Sequence, residues 1–369
     1  MPFGTLPIVL CQINPVLGDI KGNAKRIVDA ALAQPSNALC VFPELCLIGY
    51  PPEDLIYNPA MRRQVEAEIP LIAEALKDGP GVLIGAPVWI GTMNDGNKRG
   101  RDRLLPRNAA MLIAEGEIKG TVYKRDLPNY EVFDDKRVFT AGPLPEPIMY
   151  QGHSLGVVVC EDIWTNEIAD HLKARGAEQL IVLNASPYER GKMQRRLDMA
   201  KTRVRETGLP LVYVNQVGGQ DDLIFDGQSF VMDVYGKIAV RLPVFEEACV
   251  RKGHAAVMKD ADEVYKGLVL ATRDYVQKSG GKGVFVGLSG GVDSALVAAI
   301  AVDALGAENV RVVTMPSRFN SNESIDDAAE VADTLGLTME MQPIEGSVKV
   351  MEEQLKLTSG IAHENIQSR

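Results

Sequence analysis

Along the first two thirds of the chain, short apolar runs alternate with polar stretches of helical periodicity. The runs Ile8–Ile13, Leu39–Phe42, Val82–Val88, Ala109–Ala114, Leu155–Cys160, Leu180–Asn184, Leu211–Asn215 and Ser229–Met232 read as strands. They are apolar almost throughout, not at every second position, as expected of sheets covered on both faces. Helices are expected over Asn23–Ala33, Ala60–Lys77, Asn166–Ala174 and Met193–Thr207. Val82–Val88 and Ala109–Ala114 are joined by a charged stretch with Gly, Asn and Asp, which suits a hairpin and makes the sheet mixed.

The pattern changes over Glu246–Asp262, which is polar, mixed in charge and aperiodic, and a linker is placed there. Beyond it come an amphipathic helix (Glu263–Lys278), a strand (Val284–Leu288), a glycine turn, a helix (Asp293–Leu305), a strand (Val310–Thr314) and a helix (Asn322–Leu335). This is the β-loop-α-β opening of a parallel nucleotide-binding domain. Two evident strands are few for a doubly wound sheet, so this part is expected to be partial. The reading is α/β throughout, with one domain over 1–250 and an incomplete second over 263–369.

A length of 369 residues suits two domains, and 46% hydrophobic content supplies two cores. The net charge of −10 and pI near 5.1 argue against non-specific binding to nucleic acid or an anionic membrane, so neither is expected as a partner. No apolar run is long enough to cross a bilayer, and the N-terminal residues do not read as a signal peptide. The five cysteines, 11, 40, 46, 160 and 249, are odd in number and lack a CxxC pair. They suit neither a disulfide framework nor a zinc site, and a reducing cytoplasm is expected.

Three segments carry candidate chemistry. Val41-Phe42-Pro43-Glu44-Leu45 ends a buried strand on an acid. Tyr123-Lys124-Arg125-Asp126-Leu127-Pro128-Asn129-Tyr130 holds a lysine. Val157-Val158-Val159-Cys160-Glu161-Asp162 ends a buried strand on a thiol. A cysteine nucleophile needs a base for its proton and a cation or dipole for the negative charge that develops. None of the four histidines stands in a recognisable catalytic segment. A desolvated carboxylate can serve as base and a lysine can stabilise an oxyanion. On residues alone, a cysteine closing an apolar strand is as well explained as a small core residue.

FPEL with GYPPEDL, YKRDLPNYEVFDDKRVF and VVVCEDIW, in this order, resemble the Glu-Lys-Cys signature segments of the nitrilase (carbon–nitrogen hydrolase) superfamily. The resemblance covers Ile8 to Val244. It implies an αββα sandwich with Glu44 as general base, Lys124 as oxyanion stabiliser and Cys160 as nucleophile. Glu131 is a further carboxylate nearby in sequence, or a surface charge. Asn184-Ala185-Ser186-Pro187-Tyr188 with Gly191-Lys192 resembles the glutamine-holding segment of the glutaminase domains of NAD synthetases, which implies glutamine contacts from Tyr130, Ser186 and Lys192. Ser186 read by itself is equally a turn or cap residue before a helix.

In the second part, Gly287-Leu288-Ser289-Gly290-Gly291-Val292-Asp293-Ser294 follows a strand and opens a helix. Its glycines admit a phosphate, the helix start offers free amides, and Asp293 can hold Mg²⁺. It is neither GxxxxGK[ST] nor GxGxxG. SGGxDS resembles the loop of the N-type ATP pyrophosphatases, which implies ATP binding by 287–294. Met315-Pro316-Ser317-Arg318 and Glu364-Asn365-Ile366-Gln367 resemble further NAD synthetase segments.

The two resemblances in this order are similar to the glutamine-dependent NAD⁺ synthetase family. They imply glutamine, ATP and deamido-NAD as substrates, an ammonia tunnel and a homo-oligomer. That family's second domain is longer, so this chain is expected to carry only the amidase half of the activity. The alternatives are a glutamine amidotransferase feeding another ATP-dependent amidation, and a nucleotide-sensing module without catalysis.

Overall fold

The computed structural model describes residues 6–93, 103–316 and 321–355. They form two compact units that meet in sequence at Val264/Tyr265. In the first unit the strands are β1 Ile8–Gln12, β2 Leu39–Val41, β3 Gly81–Met93, β4 Arg103–Ala114, β5 Glu117–Tyr123, β6 Ile148–Tyr150, β7 His153–Val159, β8 Gln179–Asn184, β9 Leu211–Asn215, β10 Val217–Gln220, β11 Leu223–Asp226, β12 Phe230–Met232, β13 Ile238–Arg241 and β14 Ala248–Val250. The helices are α1 Ile20–Leu32, α2 Pro59–Ala75, the single turn α3 Asp135–Val138, α4 Glu167–Ala174 and α5 Lys192–Thr207.

Two six-stranded sheets result, ordered β14-β1-β2-β3-β4-β5 and β13-β12-β9-β8-β7-β6. Each has three parallel strands (β1, β2, β3 and β7, β8, β9) flanked by antiparallel ones. Alternation within the apolar runs explains the layers. Leu39 and Val41 of β2 pack with Leu155, Val157, Val159, Ile181 and Leu183 of the other sheet in a shared core. Cys40, between them in β2, turns the other way and packs with Ile20, Ile27, Val65 and Ile72 of α1 and α2. Leu180 and Val182 of β8 likewise face away, toward Leu172, Leu197, Ala200 and Val204 of α4 and α5. In the central strands both faces thus meet apolar neighbours, which gives an αββα sandwich from runs without polar alternation.

Helix ends follow local chemistry. Asp19 caps α1 by accepting from the Gly22 amide at 3.0 Å, and Asn58 caps α2 ahead of Pro59. Gly208 closes α5 in the left-handed region at φ 69°, where a side chain would be strained. The stretch read as a linker is partly structured: Ala248–Val250 is the edge strand β14, paired antiparallel with β1. Three isolated apolar residues between charges left it no readable periodicity.

The second unit contains α6 Asp260–Lys278, which starts in the first unit's last residues, then β15 Val284–Gly287, α7 Val292–Leu305, β16 Val310–Thr314, α8 Asn322–Thr334, β17 Met339–Met341 and α9 Glu345–Leu355. Its sheet is parallel, β15-β16-β17. The third strand, Met-Glu-Met, escaped the sequence reading because it is short and mostly exposed. The core comprises Val286, Leu288, Ala298, Ala301, Val310, Val312, Ala328, Ala332 and Leu337. Among the described residues, no helix is long and apolar enough to cross a membrane.

Leu183 is fully buried between the two sheets. Leu183→Ala should lower unfolding stability by about 2–5 kcal/mol, the cost of lost transfer energy plus an unfilled cavity. A urea titration measures it, and a loss below about 1 kcal/mol would contradict the packing described.

Candidate active site

The ends of β2, β5, β7 and β8 bring the three sequence segments together. Glu44 follows β2, Lys124 follows β5 and Cys160 follows β7, so the first two come from one sheet and the thiol from the other. Glu44 is fully buried. Its Oε1 accepts from Lys124 Nζ at 2.8 Å and from Asn108 Nδ2 at 2.6 Å. Its Oε2 accepts from the Ala185 amide, just past β8 of the opposite sheet, at 2.9 Å. The carboxylate is held at both oxygens and ties the sheets at their ends. Gly85 lets the chain pass, since a Cβ there would lie 2.1 Å from the Leu45 nitrogen.

Lys124 is also fully buried, and its second partner is Asp135 Oδ2 at 2.6 Å. Tyr50 donates to the other Asp135 oxygen at 3.2 Å. Burial by itself would lower the Lys124 ammonium. The charges of Glu44 and Asp135 outweigh burial and hold it well above its usual value. Asp135 is pushed up by burial and by Glu44, against the pull of Lys124.

Cys160 has φ 47°, a left-handed conformation that a non-glycine residue adopts at a cost of order 1–3 kcal/mol. The strand stops there and a 3₁₀ turn, Cys160–Ile163, begins. Burial, then the Glu44 carboxylate, push the thiol well above its usual value, and Lys124 opposes them. The sulfur is therefore held protonated, and it would need a base to act as a nucleophile.

Asp162, two residues on, is buried and accepts the backbone amides of Arg125 and Asp126, at 3.1 and 2.7 Å. It fastens the loop after Lys124 to the turn that carries Cys160. At the mouth, Tyr130 is half exposed and its hydroxyl donates to Glu161 at 3.0 Å. Glu131, at φ 52°, is exposed. Lys192 opens α5, with its ammonium 5.7 Å from the centre of the Phe133 ring. Burial, then the Arg196 charge, draw it below its usual value.

Ser186 lies deeper. Its hydroxyl accepts from the Arg196 guanidinium at 3.2 and 3.3 Å, which leaves its own proton to donate. Arg196 is fully buried and paired with both oxygens of Asp226, at 2.9 and 2.7 Å. Asn108, Asp135, Asp162, Arg196 and Asp226 were not singled out from sequence. Asn108 carried a signal, a polar residue inside an apolar strand. Asp135 did not, because nothing local distinguishes it from the adjacent, partly exposed Asp134.

In the second unit, 287–294 is a self-bonded loop. Ser294 Oγ accepts from the Ser289 amide at 3.2 Å and donates to the Gly291 carbonyl at 2.9 Å. Ser289 Oγ accepts from the Gly291 amide at 3.3 Å. Gly290 has φ 81°, and a Cβ there would lie 2.2 Å from the Ser324 carbonyl oxygen. Leu288 points into the core, so it offers a ligand only its backbone, as do Gly287, Gly290 and Gly291. The Val292 and Asp293 side chains are exposed in the first turn of α7. Among the described residues, no three His, Cys, Asp or Glu side chains cluster to hold a metal. Asp293 is one carboxylate beside a phosphate-type loop, which suits Mg²⁺ held partly by substrate phosphates. Of the other segments noted in the sequence, Ser317, Arg318 and Glu364–Gln367 lie outside the described residues.

The carbon–nitrogen hydrolase family model matches residues 8–252 and the NAD synthase family model residues 264–369. The chain is similar to the glutamine-dependent NAD(+) synthetases of Rhodobacter capsulatus (41% identity over 98% of this chain and 67% of the relative) and Synechocystis sp. (39%; 98% and 70%). It thus spans about two thirds of their length. The structure of the Acinetobacter baumannii glutamine-dependent NAD+ synthetase in complex with adenosine diphosphate superposes with a TM-score of 0.87 at 37% identity, over 98% of this chain and 70% of that one. A Nesterenkonia amidase of the nitrilase superfamily superposes at 0.57 with 25% identity, over 66% of this chain and 88% of that one. The match over 264–369 corrects the expectation that the chain carries only the amidase half, because both kinds of unit are present.

Burial lifts Asp162 to about 7, against the amides that bind it. In the unfolded chain its value is the ordinary 3.8. The folded state therefore binds this proton more tightly. Its stabilising contribution is whole below about pH 4 and is lost as pH rises toward about 7, where the folded chain must bury a charge. Asp162→Asn keeps an oxygen for the two amides and removes the titration. Between about pH 4 and 7, wild type should lose on the order of a few kcal/mol of stability relative to the variant. Parallel stability curves from urea melts across that range would refute this.

Proposed function

The chain belongs to the glutamine-dependent NAD(+) synthetase family, and from that premise we propose how its own residues divide the reaction. The observation that carries the reading is the convergence of buried Glu44 and Lys124 with Cys160 at the open ends of two facing sheets. Glu44 takes the Cys160 proton as the sulfur attacks the side-chain amide carbon of glutamine. Lys124, already charged, stabilises the oxygen that becomes negative. Ammonia leaves with the proton returned by Glu44, and water then cleaves the thioester to glutamate.

Glutamine is held at the mouth. Lys192 is a half-buried cation at a helix N-terminus, where a negative ligand group relieves an otherwise unfavourable charge, so it suits the α-carboxylate. Ser186 donates its remaining proton to the same ligand. Tyr130, fixed by Glu161, closes one side. A mutant of the Nesterenkonia amidase has been solved with the acetamide moiety of fluoroacetamide added covalently to its active-site cysteine, which supports the same role for Cys160.

In the second unit the loop 287–294 cradles ATP phosphates through its amides and the Ser289 and Ser294 hydroxyls. That the Acinetobacter baumannii relative has been solved in complex with adenosine diphosphate supports nucleotide binding by a chain of this kind. Asp293 holds Mg²⁺, which when bound offsets charge on the departing pyrophosphate. Adenylated deamido-NAD is attacked by the ammonia, and AMP leaves as the amide forms. On this reading ammonia passes internally between the two sites, and the enzyme works in the cytoplasm as a homo-oligomer.

Cys160→Ala should reduce glutamate release from glutamine by at least about a thousandfold, while synthesis of NAD⁺ with added ammonium persists wherever wild type shows it. An electrophilic glutamine analogue should add its mass at Cys160 alone. Glutamine hydrolysis near the wild-type rate in Cys160→Ala would end the assignment. Asp293→Asn should sharply lower pyrophosphate release with either nitrogen source and leave glutamate release in place. Unchanged pyrophosphate release at ordinary Mg²⁺ would remove Asp293 from the metal site.

A further inference from the structure

Three of the five cysteines gather on the helix-covered face of the first sheet, apart from the constellation above. Cys11 of β1 and Cys249 of β14 are directly opposed across an antiparallel ladder. Residues so opposed project to the same face with Cβ atoms about 4.5–5.5 Å apart, so a small approach of the edge strand reaches the spacing of about 3.5–4.5 Å that a disulfide needs. Cys40 of β2 touches Cys11 as well. It stands opposite Val9 in the parallel ladder, two residues out of register with Cys11.

The environments of the opposed pair differ in the sense that oxidation requires. Cys11 is fully buried, whereas Cys249 is half-buried and borders a surface cleft of about 440 Å³ lined by Arg26, Asp29, Ala30 and Glu247. Cys11 draws the Cys249 thiol below its usual value, while burial holds Cys11 well above. A small oxidant can reach Cys249 from the cleft, and its partner is shielded.

We propose that Cys11 and Cys249 are a peroxide-oxidisable pair, with Cys249 the attacking and Cys11 the resolving sulfur, forming a reversible bond between β1 and the edge strand β14. In the first step the Cys249 thiolate attacks a peroxide oxygen. The O–O bond breaks, one oxygen stays as the sulfenic acid, and the other leaves as water after taking a proton. In the second step the Cys11 sulfur attacks Cys249. The S–O bond breaks, and the oxygen leaves as a second water with the Cys11 proton. Two thiols are oxidised to one disulfide and hydrogen peroxide is reduced to two waters. A dithiol reductant reverses the change by exchange. The bond joins the last strand of the first unit to its first strand, in the stretch that precedes α6.

The test treats the full chain with hydrogen peroxide, blocks free thiols and maps peptides without reduction. The expected result is a cross-linked pair of the Cys11 and Cys249 peptides that dithiothreitol releases, also formed by Cys40→Ser. In Cys11→Ser the cross-link should vanish and a 1,3-dione reagent should label Cys249 as sulfenic acid. A Cys11–Cys40 cross-link, over-oxidation of Cys249 in wild type without any cross-link, or no reaction at either sulfur would each overturn the proposal.

Discussion

A fully buried lysine ammonium, between two carboxylates, governs the first unit. Taking such charges out of water costs several kcal/mol per ion, and removing one partner of a buried pair costs about 3–5 kcal/mol. Lys124 is tolerable only because Glu44 and Asp135 both reach it. Glu44 in turn needs Asn108 and the Ala185 amide, and Asp135 needs Tyr50. Each partner comes from a different part of the chain. Satisfying one charge therefore fixes the ends of β2, β5 and β8 and the middle of β4 relative to one another, across both sheets.

That rigidity has a chemical consequence. A group that stabilises a developing oxyanion is most effective when it is already charged, desolvated and aimed before reaction. Lys124 meets the first two conditions in the resting state. Cys160 is presented at the end of β7 by a left-handed residue, and Asp162 pins the neighbouring loop to the same turn. The strain at Cys160 and the buried charge of the array are both offset by the apolar packing of the sandwich, with one set of strand positions between the sheets and the alternate set under the helices.

The second unit prepares its loop by other means. No buried ion pair is needed, because the Ser289 and Ser294 hydroxyls bond the loop's own amides and carbonyl. Gly290 alone can pass as close to the Ser324 carbonyl as this turn does. The loop's own hydrogen bonds shape it, and the helix that follows directs its N-terminal dipole toward it.

The central strands, the two-sided burial of their faces and the three segments that meet at Glu44, Lys124 and Cys160 were legible in the sequence. Continuous apolar runs have few physical interpretations, and a reactive side chain must stand where such a run stops. SGGVDS was legible for the same reason, as glycines between a strand and a helix leave little else for the chain to do. Tertiary structure alone decided the rest. Asp135 and Asp134 are indistinguishable in sequence, yet one is buried against Lys124 and the other forms a surface pair with Arg137. Arg196 reads as one of several charges on an amphipathic helix, yet it is fully enclosed with Asp226 and Ser186. The opposition of Cys11 and Cys249, more than two hundred residues apart, depends on an edge strand too short to show periodicity. Whether a charged or thiol side chain is buried, and against what, depends on partners brought from distant sequence, and no local pattern encodes that choice.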